Sequence, residues 1–178
     1  MGSTKTIAEG RYLGLYERDD WEFAERTNAE GVVGILALTS QDEVILVEQF
    51  RRPMNAPVIE IPAGLIGDED DHRGESLAET AHRELLEETG YQAESMKLLL
   101  SGPTSPGMTS ETTHLFLATG LQQVSRGGGV GDENIRVHRV PLGHLRTWLN
   151  EQEAKGLLLD FKIHAVLWLA GCHDHGLQ

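Results

Sequence analysis

Ser76-Leu77-Ala78-Glu79-Thr80-Ala81-His82-Arg83-Glu84-Leu85-Leu86-Glu87-Glu88-Thr89, preceded by Gly74 and followed by Gly90, is the stretch whose reading decides this chain. Two glycines bracket a run without internal breakers, and Gly90 stands where a helix C-terminal cap belongs. The stretch is therefore a helix. Glu84, Glu87 and Glu88 stand at i, i+3 and i+4, which puts their carboxylates on one face. Ala78, Ala81 and Leu85 form a neighbouring face that can pack on a sheet. Like charges so spaced repel by roughly a few tenths of a kcal/mol per pair. They also lie near the helix C-terminus, where the macrodipole disfavours anions. A solvated acidic face with Arg83 paired to Glu87 is one reading. A site for a hard divalent cation is the other, because such an ion reverses the sign of both penalties and prefers clustered oxygens.

Outward from the helix, apolar runs mark strands. Residues 31–38 (GVVGILAL) and 43–49 (EVILVEQ) flank a turn at Ser40-Gln41-Asp42 and fit strands buried on both faces. Val58 to Ile61 is a short strand ended by Pro62. Upstream, Arg11 to Tyr16 and Trp21 to Thr27 flank a turn at Arg18-Asp19-Asp20. Downstream, Lys97 to Leu100, Thr113 to Ala118 and Ile135 to Val140 are strands, and Leu142 to Glu153 and Phe161 to Ala170 are helices. Strands on both sides of a helix, followed by a helical tail, predict an α/β fold with a mixed sheet between helices.

Composition narrows the function classes. The formal net charge of −13 is the wrong sign for a nucleic-acid groove. It also opposes an anionic phosphate substrate, unless a bound divalent cation inverts the local potential. No apolar run reaches membrane-span length, and Met1 to Thr6 lacks the features of a signal peptide. Cys172 is the single cysteine, which points to a reducing compartment and a cytoplasmic protein. The histidines show no metal-ligand spacing such as H-E-x-x-H.

From Glu75 to Tyr91 the sequence resembles the Nudix hydrolase signature, G-x5-E-x7-R-E-U-x-E-E-x-G-U, in residue type and spacing. Upstream it departs. The natural counterpart of the opening glycine is Gly64, and ten residues (LIGDEDDHRG) rather than five separate it from Glu75. The excess is a surface-loop insertion, which costs little, and its acidic run from Asp68 to Asp71 is a solvated loop. Glu60-Ile61-Pro62-Ala63-Gly64, Val47 to Arg51, Ser105-Pro106-Gly107, Ser110-Glu111 and Asp132 to Val137 resemble the branch acting on ADP-ribose and nucleoside diphosphate sugars.

The resemblance implies a Nudix-type α/β/α sandwich with a mixed sheet. Residues 1–30 would be an N-terminal antiparallel sheet making a homodimer, and residues 31–178 the hydrolase domain. It implies Mg²⁺, with Mn²⁺ as a substitute, and a small nucleotide substrate split into a nucleoside monophosphate and a sugar phosphate. Glu84 and Glu88 are the implied metal ligands, with Glu87 beside them and the Ala63 carbonyl added from the turn. Arg51 is the implied phosphate-holding arginine, and a guanidinium fork suits that task. Arg83 orients a signature glutamate. Glu133 is the candidate general base, with Glu111 as the alternative or a metal-side group. The run from Arg126 to Gly131 (RGGGVG) makes the Glu133 loop flexible. Tyr12 and Trp21 are read as strand packing, although N-terminal residues stack on a base in this branch. The rival functions are a dinucleoside polyphosphate or nucleoside triphosphate pyrophosphohydrolase, a non-catalytic nucleotide-sugar sensor, and a divalent-cation buffer.

Overall fold

A computed structural model of the chain describes residues 2–68, 70–131 and 134–172. An N-terminal antiparallel sheet consists of β1 (Lys5–Glu9), β2 (Leu13–Arg18) and β3 (Trp21–Arg26). Asp19 and Asp20, at φ 52° and 63°, make the tight turn that joins β2 to β3, as a two-residue hairpin requires. The chain continues through β4 (Val32–Leu38), β5 (Glu43–Arg51), β6 (Ala56–Glu60), β7 (Ala63–Leu65) and α1 (Leu77–Thr89). Next come β8 (Tyr91–Gln92), β9 (Ser95–Pro103), β10 (Thr112–Thr119), β11 (Gln122–Gln123) and β12 (Arg136–Pro141). The described chain ends with α2 (Leu145–Ala154), β13 (Leu158–Leu159) and α3 (Lys162–Leu169).

The main sheet runs β13-β6-β5-β4-β10-β9, with β12 added to β5 and β7 added to β4. It is mixed: β10 lies parallel to β4 and β13 parallel to β6, and its remaining pairings are antiparallel. Alternation along β4 explains why residues 32–38 are apolar throughout. Val33, Ile35 and Ala37 pack with Ala81 and Leu85 of α1. Leu36 faces the other way, into a cluster with Leu145 and Leu149 of α2 and Ile163 and Val166 of α3. Both faces are covered, so neither set of alternating positions is polar. The result is the α/β/α sandwich. Among the described residues no helix is long and apolar enough to cross a membrane.

Helix α1 is closed at both ends by local chemistry. Ser76 and Glu79 form a reciprocal capping box, with Ser76 N–H donating to Glu79 at 2.8 Å. Gly90 takes the left-handed conformation at φ 77° and donates to the Leu86 carbonyl. Beyond it, the amides of Gly128 and Gly129 donate to the carbonyls of Glu88 and Glu87 at 2.8 and 3.0 Å. A Cβ on Gly127 would lie 2.3 Å from the Thr89 carbonyl carbon. The expectation of a flexible 126–131 run is thus corrected over its first part. Its glycines serve close backbone approach, and residues 127–129 are docked on the helix end.

Other differences are smaller. The second long helix starts with a 3-10 turn at Leu142–His144 and is α-helical only from Leu145. Tyr12 and Trp21 are not buried in strand packing: they are 55% and 63% exposed, with Arg11 over the Tyr12 ring and the Trp21 indole N–H donating to the Gly107 carbonyl. Leu85 is fully buried between α1 and the sheet. Leu85→Ala should lower unfolding free energy by about 2–5 kcal/mol, through lost transfer energy and a residual cavity. Urea unfolding followed by far-UV circular dichroism measures it. A loss well below about 1 kcal/mol would mean that the helix does not rest on this residue.

Candidate active site

Sheet pairing brings the Pro62-Ala63-Gly64 turn against α1. The Pro62 carbonyl accepts from Ile35 N–H at 2.8 Å, and β7 pairs with β4 through Gly34 and Ala63. The turn then meets the helix glutamates directly. Ala63 N–H donates to Glu88 Oε2 at 3.0 Å, and Glu88 is 5% exposed. Gly64 lies flat against Glu84: a Cβ there would fall 1.8 Å from the Glu84 carboxyl carbon. No side chain larger than hydrogen fits unless Glu84 moves.

Arg83 stands among the carboxylates. Its Nε donates to Glu75 Oε2 at 3.2 Å, and its Nη1 donates to Glu84 at 2.8 Å and Glu87 at 3.1 Å. Burial pulls the guanidinium pKa down, but Glu84 and Glu75 outweigh that and hold it above its ordinary value. Its Nη2 is buried with no hydrogen-bond partner among the described residues. One guanidinium does not neutralise this many acids. Glu84 is pushed up to about 7, first by burial, against the pull of Arg83, with Glu87 and Asp68 adding to the rise.

Ala63, Gly64, Arg83, Glu84, Glu87 and Glu88 line a cavity of about 720 Å³ together with Arg26, Val32, Gln49, Arg51, Leu65, Asp68, His72, Val130 and Gly131. Its volume suits a small-molecule ligand. Arg51, at the end of β5, is oriented by its Nε donating to Glu60 Oε2 at 2.7 Å. Arg26, from β3, donates through Nε to Glu111 Oε2 at 2.7 Å. Arg26 also lines a second cavity of about 390 Å³, with Glu25, Glu30, Ser110 and Glu111.

The residues singled out in the sequence are distributed as follows. Glu84, Glu87, Glu88, Ala63 and Arg51 share the larger cavity. Glu111 lines the smaller one, where Thr104 as well as Arg26 hydrogen-bonds it. Glu133 lies outside the described residues. Sequence reasoning misses Arg26, Gln49, Asp68 and His72. Asp68 departs from the reading of the acidic run as a solvated loop, because its half-buried side chain lines the cavity with the signature glutamates; Asp71 is exposed as expected, and Glu69 and the Asp70 side chain lie outside the described residues. The extra loop length is the available signal. For Arg26 and Gln49 no local pattern marks the inward position.

Among the described residues no three acidic, histidine or cysteine side chains converge closely enough to hold an ion without rearrangement. The donor chemistry nevertheless fits a hard cation. Glu84 and Glu88 are all-oxygen ligands with little solvent access, Gly64 leaves room for the Glu84 carboxylate, and Arg83 alone among the described residues is paired with both Glu84 and Glu87.

Comparison with known proteins places the chain in a family. The family model described as NUDIX domain matches residues 29–161. The "Methanol dehydrogenase activator" of Bacillus methanolicus is 36% identical over 73% of this chain and 71% of its own length. The "ADP-ribose pyrophosphatase" of Bacillus subtilis (strain 168) is 39% identical over 66% of each chain. The "GDP-mannose pyrophosphatase" of Pectobacterium atrosepticum is 31% identical over 79% of this chain and 76% of its own. A solved structure described as "Crystal structure of ADP compounds hydrolase" superposes with a TM-score of 0.66 at 24% identity, over 83% of this chain and 80% of that one.

The raised Glu84 pKa has a defined consequence in chelator-treated protein. The carboxyl titrates near 4.5 when unfolded and near 7 when folded. Between those values the folded state holds a proton that the unfolded state lacks, so stability falls as pH rises. The loss is at most about 1.4 kcal/mol for each pH unit crossed. Glu84→Gln should therefore be more stable than the parent at pH 8, and the difference should shrink towards zero as pH falls to about 4.5. Denaturant titrations across that range test it. A difference that does not vary with pH would show that Glu84 does not hold the proton.

Proposed function

We propose, from the premise that this chain belongs to the Nudix family, that it hydrolyses the pyrophosphate bond of ADP-ribose or a nucleoside diphosphate sugar. The products are a nucleoside monophosphate and a sugar phosphate. The observation that carries the proposal is one cavity holding Glu84, Glu87, Glu88 and an oriented Arg51. Relatives named as ADP-ribose, ADP-sugar and GDP-mannose pyrophosphatases support the substrate class.

The division of labour follows from the residues. Glu84 and Glu88 hold Mg²⁺, or Mn²⁺ in its place, with Glu87 beside them and the Ala63 carbonyl as a further oxygen. When bound, the ion offsets charge on the phosphoryl oxygens and acidifies water. Arg51 binds the diphosphate, and the Glu60 ion pair holds its fork at one angle. Arg83 keeps Glu84 and Glu87 in place through Nη1 and remains charged throughout. Glu133 is the general base, with Glu111 as the alternative, although the Arg26 ion pair ties Glu111 into the neighbouring cavity. The setting is the cytoplasm, in keeping with a lone cysteine.

Residues 1–30 serve as the dimerisation region, and residues 31–178 carry the hydrolase. Exposed Ile7, Tyr12, Leu13 and Trp21 on or beside the N-terminal sheet support a homodimer. Leu13→Asp should then shift sedimentation from dimer to monomer at micromolar concentration. A parent chain that sediments as a monomer would overturn the dimer.

The activity is tested with ADP-ribose, GDP-mannose and diadenosine tetraphosphate, each with and without Mg²⁺. Parent and Glu88→Gln are compared by chromatography of the products. The expected result is metal-dependent splitting of a diphosphate-linked sugar. Glu88→Gln should lower kcat/KM on the order of a hundredfold or more, the scale for removing one electrostatic stabiliser. Cleavage of the tetraphosphate alone would reassign the substrate to the polyphosphates. Binding of nucleotide sugars without turnover would favour a sensor.

A further inference from the structure

Residues 65–74 exceed the signature spacing by five residues, and two residues of this stretch, Asp68 and His72, line the cavity while Asp71 and Arg73 are exposed. One end is pinned by Ile66, which is 5% exposed and packs with Ala81 and Leu85. Its backbone exchanges hydrogen bonds with the 30–31 segment, Ile66 N–H to Gly31 O at 3.1 Å and Glu30 N–H to Ile66 O at 3.0 Å. The other end is pinned by the Ser76 capping box. Gly67 at φ 69° and Gly74 at φ 90° let the chain turn on either side. Between them a 3-10 turn at Asp70–His72 closes onto Glu75, whose N–H donates to the His72 carbonyl at 3.3 Å. Asp68 and His72 consequently line the cavity that holds the signature glutamates and Arg51.

The cavity's lining indicates what these two residues meet. Among the described residues it contains no Phe, Tyr or Trp. A nucleobase is commonly held by stacking on such rings. A polyol is held by side chains that accept and donate hydrogen bonds. An ionised Asp accepts only, whereas an imidazole can donate and accept. If the diphosphate lies at Arg51 and the glutamates, as proposed above, the polar side chains of Asp68 and His72 suit a hydroxyl-rich group better than a nucleobase.

We infer that the 65–74 loop is a specificity element: Asp68 and His72 hydrogen-bond the hydroxyl groups of the sugar carried on the distal phosphate. This deepens, and rests on, the reading of the chain as a hydrolase of diphosphate-linked sugars. The two residues set which leaving group is preferred, while bond cleavage stays with the groups around Glu84.

The test compares ADP-ribose with the methyl ester of ADP, which keeps the diphosphate and lacks the sugar. His72→Ala, Asp68→Asn and an excision of residues 68–72, which restores the five-residue spacing, are assayed beside the parent at saturating Mg²⁺. Circular dichroism and Tm confirm that each variant is folded, and the two point variants serve if the excision is not. The ratio of kcat/KM for ADP-ribose to that for the methyl ester should fall about tenfold or more, as expected for losing one or two substrate hydrogen bonds. The loss should appear mainly in KM for ADP-ribose. An unchanged ratio overturns the inference. So does an equal loss on both substrates with a raised Mg²⁺ requirement, which would make Asp68 part of the metal site. A parent that cleaves neither compound nor GDP-mannose overturns the functional reading itself, an outcome distinct from cleavage with an unchanged ratio.

Discussion

The guanidinium of Arg83, set among Glu75, Glu84 and Glu87, is the contact on which the helix and the site both depend. Acids gathered near a helix C-terminus oppose the macrodipole and repel one another. Several compensations make the arrangement tenable. Ala63 N–H satisfies one Glu88 oxygen. Gly128 and Gly129 satisfy the Glu88 and Glu87 carbonyls with backbone amides, which places partial positive charge at the negative end of the helix. The buried Ala81 and Leu85 face anchors α1 to the sheet and keeps the acids at the cavity. The compensation remains incomplete, since Glu84 is still pushed up to about 7. A structural helix gains nothing from that remaining deficit of positive charge, whereas a cation site uses it.

How much of this is legible in the sequence depends on how local the determining interactions are. Helix α1 is readable in full because its cap, periodicity and C-terminal glycine lie within sixteen residues of chain, Glu75 to Gly90. Strands β4 and β5 are readable because burial on both faces leaves an unbroken apolar run. Strand β1 is not: all five of its residues are exposed, so no hydrophobic alternation marks it. Strand β7 is three residues long and exists through its pairing with Gly34 and its neighbours in β4. The α/β/α architecture follows from element order, but the inward placement of Arg26 follows from where the N-terminal sheet sits, which no short window encodes.

Two misreadings have one origin. Glycine runs and acidic runs both suggest solvent and freedom. At Gly127 the missing side chain serves contact, since a Cβ would strike the Thr89 backbone. At Asp68 the charge faces a cavity that already contains Glu84, Glu87 and Glu88. In each case composition describes the residue's average behaviour, and the tertiary neighbour reverses it. Gly64 is a third example: its lack of a side chain makes room for the Glu84 carboxylate, a role separate from turn geometry.

The charge around the larger cavity also constrains the order in which ligands can bind. Arg26, Arg51 and Arg83 line it together with Asp68, Glu84, Glu87 and Glu88. Arg83 is committed to the helix acids, Arg51 shares its charge with Glu60 and Arg26 with Glu111. A diphosphate entering alone would meet arginines already partly offset by their carboxylate partners, with the acids of the helix close by. A divalent cation entering alone would meet acids still held by Arg83. On the proposed function each ligand would lower the electrostatic cost of the other, and linkage would make that coupling reciprocal. On the proposed function the acidic balance of the chain, which by itself opposes an anionic substrate, would favour a diphosphate that binds together with a cation.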